Sequence, residues 1–251
     1  MSELQKRIGK TQRRQAAGGF GFGSARREQP RAMLAAVLVN DTAAAKAAVE
    51  AGADVVIIDG RDATGAAAAI KPLDKVCAGA KLATLDEAGA KALRDAGCDF
   101  VISPLDKTAS AAVDTEEMGQ VVVASDDHTD TMLRALPPLG LDALYVDGAN
   151  DATTLDKQLE LVRLSSFSSS PLMVTVGADA TASELRVLRD SGAAIAVLPM
   201  GTSGADIARL VETLRVVPSP KKAKSDSGAM ALVPSMGKRD DEEEDEAEDP
   251  E

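Results

Sequence analysis

Apolar residues in this chain come in short unbroken runs, and four of the runs follow the same signal. AGADVVIIDG at 51–60 returns as AGCDFVIS at 96–103, LGLDALYVD at 139–147 and SGAAIAVLP at 191–199. The glycines Gly52, Gly97, Gly140 and Gly192 lie 45, 43 and 52 residues apart, each closing an Ala/Leu-rich stretch of helical period. A glycine behind a helix and ahead of a continuous apolar run reads as a helix C-cap followed by a buried strand. A strand covered on both faces, as in a parallel sheet, carries such a run instead of strict alternation. A spacing of about 45 residues suits two βα units, so the chain reads as four βαβα quarters.

Taken in order, the pattern predicts strands at 33–39, 55–58, 75–82, 100–103, 120–124, 143–146, 172–176 and 195–198. Helices are predicted between and after them at 42–51, 63–70, 87–96, 107–113, 129–136, 154–164, 183–190 and 206–216. Asp41, Asp62 and Asp127 read as helix caps, and Thr84-Leu85-Asp86-Glu87 reads as a capping box. The helix at 107–113 has the weakest signal, and a serine-rich turn is expected after 164. Eight strands alternating with eight helices predict an α/β protein, a (β/α)8 TIM barrel spanning 32–217. A doubly wound open sheet is the competing architecture. The span is short for a barrel, whose usual range begins near 200 residues, so some helices must be brief.

Composition and charge then separate the barrel from its ends. Aromatic residues make up 2% of the chain and there is no Trp, so the core is aliphatic. The two cysteines, Cys77 and Cys98, have no paired spacing and there is no long apolar segment, so a cytoplasmic protein with two small buried thiols is expected. Residues 1–31 carry eight Lys/Arg against two acids around a Gly-rich centre, and residues 218–251 carry five against eleven. Both are expected to be disordered, the first as a basic arm and the second as an acidic tail ending DDEEEDEAEDPE. Gly19, Gly21 and Gly23 do not fit GxGxxG, and no strand precedes them. With a net charge of −12, nucleic acid is not an expected partner. A protein partner, or self-association through the charged ends, is.

In a barrel the chemistry sits where strands end and βα loops begin. Those positions hold Asn40 and Asp41, then Asp59, Arg61 and Asp62, then Lys81, then Ser103 and Lys107. The second half adds Ser125 to His128, Asp147, Thr175, Gly177 and Asp179, and the loop 201–204. Carboxylates with a lysine and an arginine around one mouth suit an anionic metabolite and proton transfer. Lys81, Asp59 and Asp147 are the acid/base candidates, and Tyr145, the only tyrosine, is a candidate proton donor beside Lys81. Gly201, Thr202, Ser203 and Gly204, with Gly177 on the neighbouring strand, form a candidate phosphate site at the start of the last helix. Its bland reading is Ser203 as a cap, with Asp206 opposing an anion. His128 is the only histidine and no HxH or HxxxH spacing exists, so neither a metal nor a cofactor is expected.

The stretch AGAKLATLDEAGAKALRDAGCDFVISP, 78–104, resembles the segment from third to fourth strand of the 2-keto-3-deoxy-6-phosphogluconate aldolase family. The resemblance implies an aldolase-type phosphate-binding barrel, and it puts Arg61 at the position of a substrate-binding arginine. The family's general-base glutamate falls at Ile57 and its Schiff-base lysine at Tyr145. An isoleucine cannot move a proton and a phenol cannot form an imine. Two functions are therefore expected: a lyase or isomerase acting on a small anionic metabolite, phosphorylated or not, or a non-catalytic barrel that binds or scaffolds.

Overall fold

The computed structural model describes residues 1–16, 31–147 and 154–218. Eight parallel strands close into a barrel in sequence order, each hydrogen-bonded to the next and β8 back to β1. The strands are β1 (Leu34–Val39), β2 (Val55–Asp59), β3 (Cys77–Lys81), β4 (Phe100–Ser103), β5 (Gly119–Val123), β6 (Ala143–Val146), β7 (Leu172–Thr175) and β8 (Ala193–Leu198). Around them run α2 (Thr42–Glu50), α3 (Ala63–Ile70), α4 (Glu87–Asp95), α5 (Asp130–Ala135), α6 (Leu155–Ser168), α7 (Ala182–Asp190) and α8 (Gly204–Val216). A further helix, α1 (Glu3–Ala16), precedes the barrel.

The unbroken apolar runs serve two separate cores, since alternate residues of a strand point to opposite faces. On β2, Val55 and Ile57 enter the barrel interior while Val56 and Ile58 pack against the helix layer. The interior is tight. A Cβ built on Gly79 would lie 2.3 Å from Cζ of Phe100, whose ring fills the space in front of β3. The outer layer is alanine-rich, with Ala45, Ala48, Ala66 and Ala90 buried, and such small side chains let brief helices sit close to the sheet. The four repeat glycines have φ of 101°, 82°, 66° and 102°, the left-handed conformation that ends each preceding helical segment.

Five local expectations are corrected. The first half of the supposed basic arm is α1, whose Leu4 and Ile8 are buried in the interior core. Two apolar residues on one face are too narrow a stripe to register as a helix, and docking on the barrel supplies the missing stabilisation. Where a helix was expected over 107–113 there are two 3-10 turns, at Leu105–Lys107 and Ser110–Ala112, because β-branched and polar residues there favour tight turns. The cap of α4 is Asp86, which accepts from Gly89 N, in place of the Thr84 to Glu87 box. The cap of α5 is Thr129, not Asp127. Asp41 and Asp62 do cap α2 and α3. Helix α6 also runs on through the serines to Ser168, whose hydroxyl donates back to Leu164 O. Residues 17–30 and 219–251, to which the remainder of the arm and nearly all of the tail belong, lie outside the described residues.

The end of the barrel where the strands begin is organised by the repeat itself. Asp54, Asp99 and Asp142 stand two residues after Gly52, Gly97 and Gly140, and each amide donates to the preceding strand: Asp54 to Ala35 O, Asp99 to Ala78 O and Asp142 to Gln120 O. Two of the carboxylates receive α1. Asp99 accepts from Glu3 N and Leu4 N at 2.6 and 2.7 Å, and Asp142 accepts from the Ser2 hydroxyl, which in turn accepts from Gln5 N. Asp54 pairs with Arg31, and its carbonyl accepts from Arg7 of α1. Carboxylates at a helix N-terminus satisfy its free N–H groups and complement its dipole.

Candidate functional site

At the opposite end, three strands bring four of the candidate residues together. Asp59 and Lys81 are register partners at the ends of β2 and β3. Tyr145 of β6 and Asp147 just beyond it are two residues apart and share a face. The Lys81 ammonium lies 3.3 Å from Asp147 Oδ2 and 3.7 Å from Asp59 Oδ2. It also stands over the Tyr145 ring, 5.2 Å from its centroid, within the reach of a cation–π contact. The phenol is fully buried, and its hydroxyl shares a hydrogen bond of 3.1 Å with Thr175 Oγ1 on β7. Tyr145 pairs in register with Met173, so Thr175 lies one interior layer higher and the ring slants up toward the mouth.

These contacts set the charge states. Burial works to lower the Lys81 pKa, but Coulombic attraction to Tyr145, which acts once the phenol ionises, then to Asp147 and Asp59, outweighs it and holds the ammonium above the usual lysine range. Burial pushes the Tyr145 phenol up; the Thr175 hydrogen bond and Lys81 pull against it, and the two carboxylates add to the rise. At neutral pH the site therefore contains a protonated amine between two carboxylates, above a neutral phenol. The amine is a proton donor with acceptors on either side, whereas imine formation needs a free lone pair.

The remaining candidates stand apart from this cluster. Arg61 is exposed in the loop after β2, and among the described residues no ion pair or hydrogen bond engages it. The interior face of β2 carries Ile57, fully buried in the aliphatic core. In the loop after β8, Gly201 has φ 82° with open space beside it, but the Thr202 hydroxyl donates to Pro199 O and Ser203 caps α8, accepting from Asp206 N and donating to Asp206 Oδ2. Gly204 opens α8, and a Cβ on Gly177 would lie 2.7 Å from Asp179 Oδ1. Both hydroxyls are thus used within the loop, and a carboxylate sits near each place that an anion would approach.

Of the other mouth residues, Ser103 faces the helix layer, where it bonds Gln120 and Thr108 beneath the two 3-10 turns. His128 is buried, with Nδ1 accepting from Ser125 N. Among the described residues no three His, Cys, Asp or Glu side chains are grouped to bind a metal, and no helix is long and apolar enough to cross a membrane. Sequence reasoning placed Thr175 at the mouth without seeing its bond to Tyr145, because the two are neighbours only across β6 and β7. It also passed over Asp54, Asp99 and Asp142, although their recurrence two residues after a glycine was a readable signal.

No family model matches the sequence, and no curated protein matches it. Solved structures do. Tryptophan synthase from Mycobacterium tuberculosis superposes with a TM-score of 0.62 at 16% identity, covering 88% of this chain and 99% of that one. The fold is the (β/α)8 TIM barrel. KGPDC from Streptococcus mutans gives 0.58 at 12% identity over 74% of this chain and 98% of that one. A 3-keto-L-gulonate-6-phosphate decarboxylase from Vibrio cholerae gives 0.57 at 13%, over 72% and 97%. The neighbours support the barrel without singling out the aldolase family. At these identities the likeness is one of fold, and fold alone does not transmit an activity.

Proposed function

We propose that this barrel binds a small anionic metabolite at its mouth and catalyses a lyase or isomerase step by proton transfer. The observation that carries this reading is the Lys81 ammonium, fixed between Asp59 and Asp147 over Tyr145, where the strands end. In this scheme Lys81 delivers a proton to the carbon or oxygen that becomes electron-rich, and Asp59 or Asp147 takes one from the substrate. The cluster carries one positive and two negative charges, so its centre does not hold the substrate's anionic group. That role falls to Arg61 and to the backbone amides at Gly201 and Gly204. Similarity in fold to a decarboxylase of a sugar-acid phosphate is consistent with a phosphorylated substrate.

A panel of pentose and hexulose phosphates and 2-keto acids, incubated in D2O and followed by proton NMR, tests the proposal. Deuterium uptake at carbon, or loss of substrate, is expected for the native protein and should fall at least a hundredfold in Lys81→Met. If no compound raises the melting temperature and none exchanges, the catalytic reading fails. The non-catalytic binding or scaffolding barrel then takes its place, a reading favoured by the carboxylates of Asp179 beside Gly177 and Asp206 beside Ser203.

A further inference from the structure

We propose that Thr175 is a positioning residue that acts through Tyr145, alongside Asp59 and Asp147, to hold Lys81 as an ammonium, biasing the lysine towards proton delivery over imine formation. The inference rests on the mouth being the working site, but its first test needs no substrate.

The physical chain has three links. A buried phenol needs a hydrogen-bond partner, and Thr175 Oγ1 at 3.1 Å supplies it from the adjacent strand. Tied at its hydroxyl to β7 and at its backbone to β6, the ring cannot swing, and its face stays beneath the Lys81 ammonium at 5.2 Å. Among the described residues, the groups facing that ammonium are anionic or electron-rich: Asp59 from β2, and Tyr145 and Asp147 from β6 and its end. Arg61, on the loop from the same strand as Asp59, stays exposed. The upward direction of the Lys81 pKa agrees with this enclosure. Imine formation requires the neutral amine, whose lone pair attacks a carbonyl carbon before water is lost, so every group that favours the ammonium suppresses that route. An aromatic ring on β6 beneath a lysine on β3 thus gives a mouth lysine that donates protons.

The Lys81 side chain can be titrated by heteronuclear NMR of its Cε and Nζ signals, assigned by their loss in Lys81→Met. Thr175→Val is expected to lower the Lys81 pKa enough to raise the neutral amine at least threefold near pH 9, with Thr175→Ser restoring the native curve. Tyr145→Leu should lower it further. Tyr145→Phe keeps the ring and removes its anchor. In that background Thr175→Val should add nothing, since its effect passes through the hydroxyl. A Lys81 titration unmoved by Thr175→Val while the melting temperature falls would reduce Thr175 to a structural role and overturn the proposal. An equal shift from Thr175→Val in the Tyr145→Phe background would overturn it as well. Should Tyr145→Leu fail to fold, the Tyr145→Phe cycle still decides. Because no ligand enters these titrations, failure to find a substrate sinks the proposed function without altering this result.

Discussion

A single side chain sets the character of the mouth. Lys81 has a folded-state pKa above its unfolded value, so its partners stabilise the fold at all pH values below the unfolded pKa, and the contribution is lost as pH rises through the folded one. The melting difference between native protein and Lys81→Met should therefore stay constant from about pH 6 to 9 and shrink above about pH 10.5. A difference already gone near pH 8 would mean that the ammonium is not held as described. The same charge state predicts that borohydride with pyruvate near neutral pH leaves the intact mass unchanged; an adduct on Lys81 would revive aldolase chemistry from β3. Deeper in the barrel, Gly79→Ala drives a methyl into the Phe100 ring and should cost about 1–3 kcal/mol. Phe100→Leu in the same protein should recover part of that loss, as measured by urea denaturation.

Among the elements, α1 is the one whose role reverses the reading from composition. A strongly charged 14-residue helix with a glycine at its centre has little reason to form alone. On the barrel it buries Leu4 and Ile8, each worth roughly 1.5–3 kcal/mol, and its first amides are received by Asp99. Removal of residues 1–16 should lower the melting temperature by about 6 °C or more, at roughly 2–4 °C per kcal/mol for a domain of this size. Asp99→Ala should reproduce part of the loss, about 1 kcal/mol or more, by stranding the amides of Glu3 and Leu4. An unchanged transition on truncation would return α1 to the status of a dispensable arm. The weak helix signal after β4 illustrates the opposite case: two 3-10 turns with a Ser103, Thr108 and Gln120 network cover the sheet without an α-helix.

For the whole molecule, a net charge of −12 on 251 residues governs encounter with any anionic ligand. The protein repels such a ligand at long range even if the mouth binds it, and salt screens that repulsion within about 10 Å at 0.1 M. The association rate of a phosphorylated ligand should therefore rise with ionic strength, by stopped-flow or relaxation measurement. A falling rate would point instead to a cationic funnel at the mouth. The ends of the barrel divide the labour: the strand starts are closed by α1 and the repeat aspartates, and the strand ends carry Lys81, Asp59, Asp147 and Tyr145.

What the sequence determined alone was the alternation of elements; closure into a barrel, against an open doubly wound sheet, was decided by the pairing of β8 with β1. The glycines behind each helix and the unbroken runs such as VVIID and FVIS demand parallel strands covered on both faces, and those signals are local in the chain. Asp59, Lys81 and Asp147 were legible as mouth residues for the same reason, because their position follows from where a strand ends. Only the tertiary structure decided that the two carboxylates share one ammonium, that Tyr145 presents its ring to Lys81 and its hydroxyl to Thr175, and that α1 plugs the other end. Those contacts join residues from 22 (Asp59 and Lys81) to 140 (Ser2 and Asp142) positions apart, and pairings across strands depend on barrel register, a quantity that no periodicity along the chain encodes.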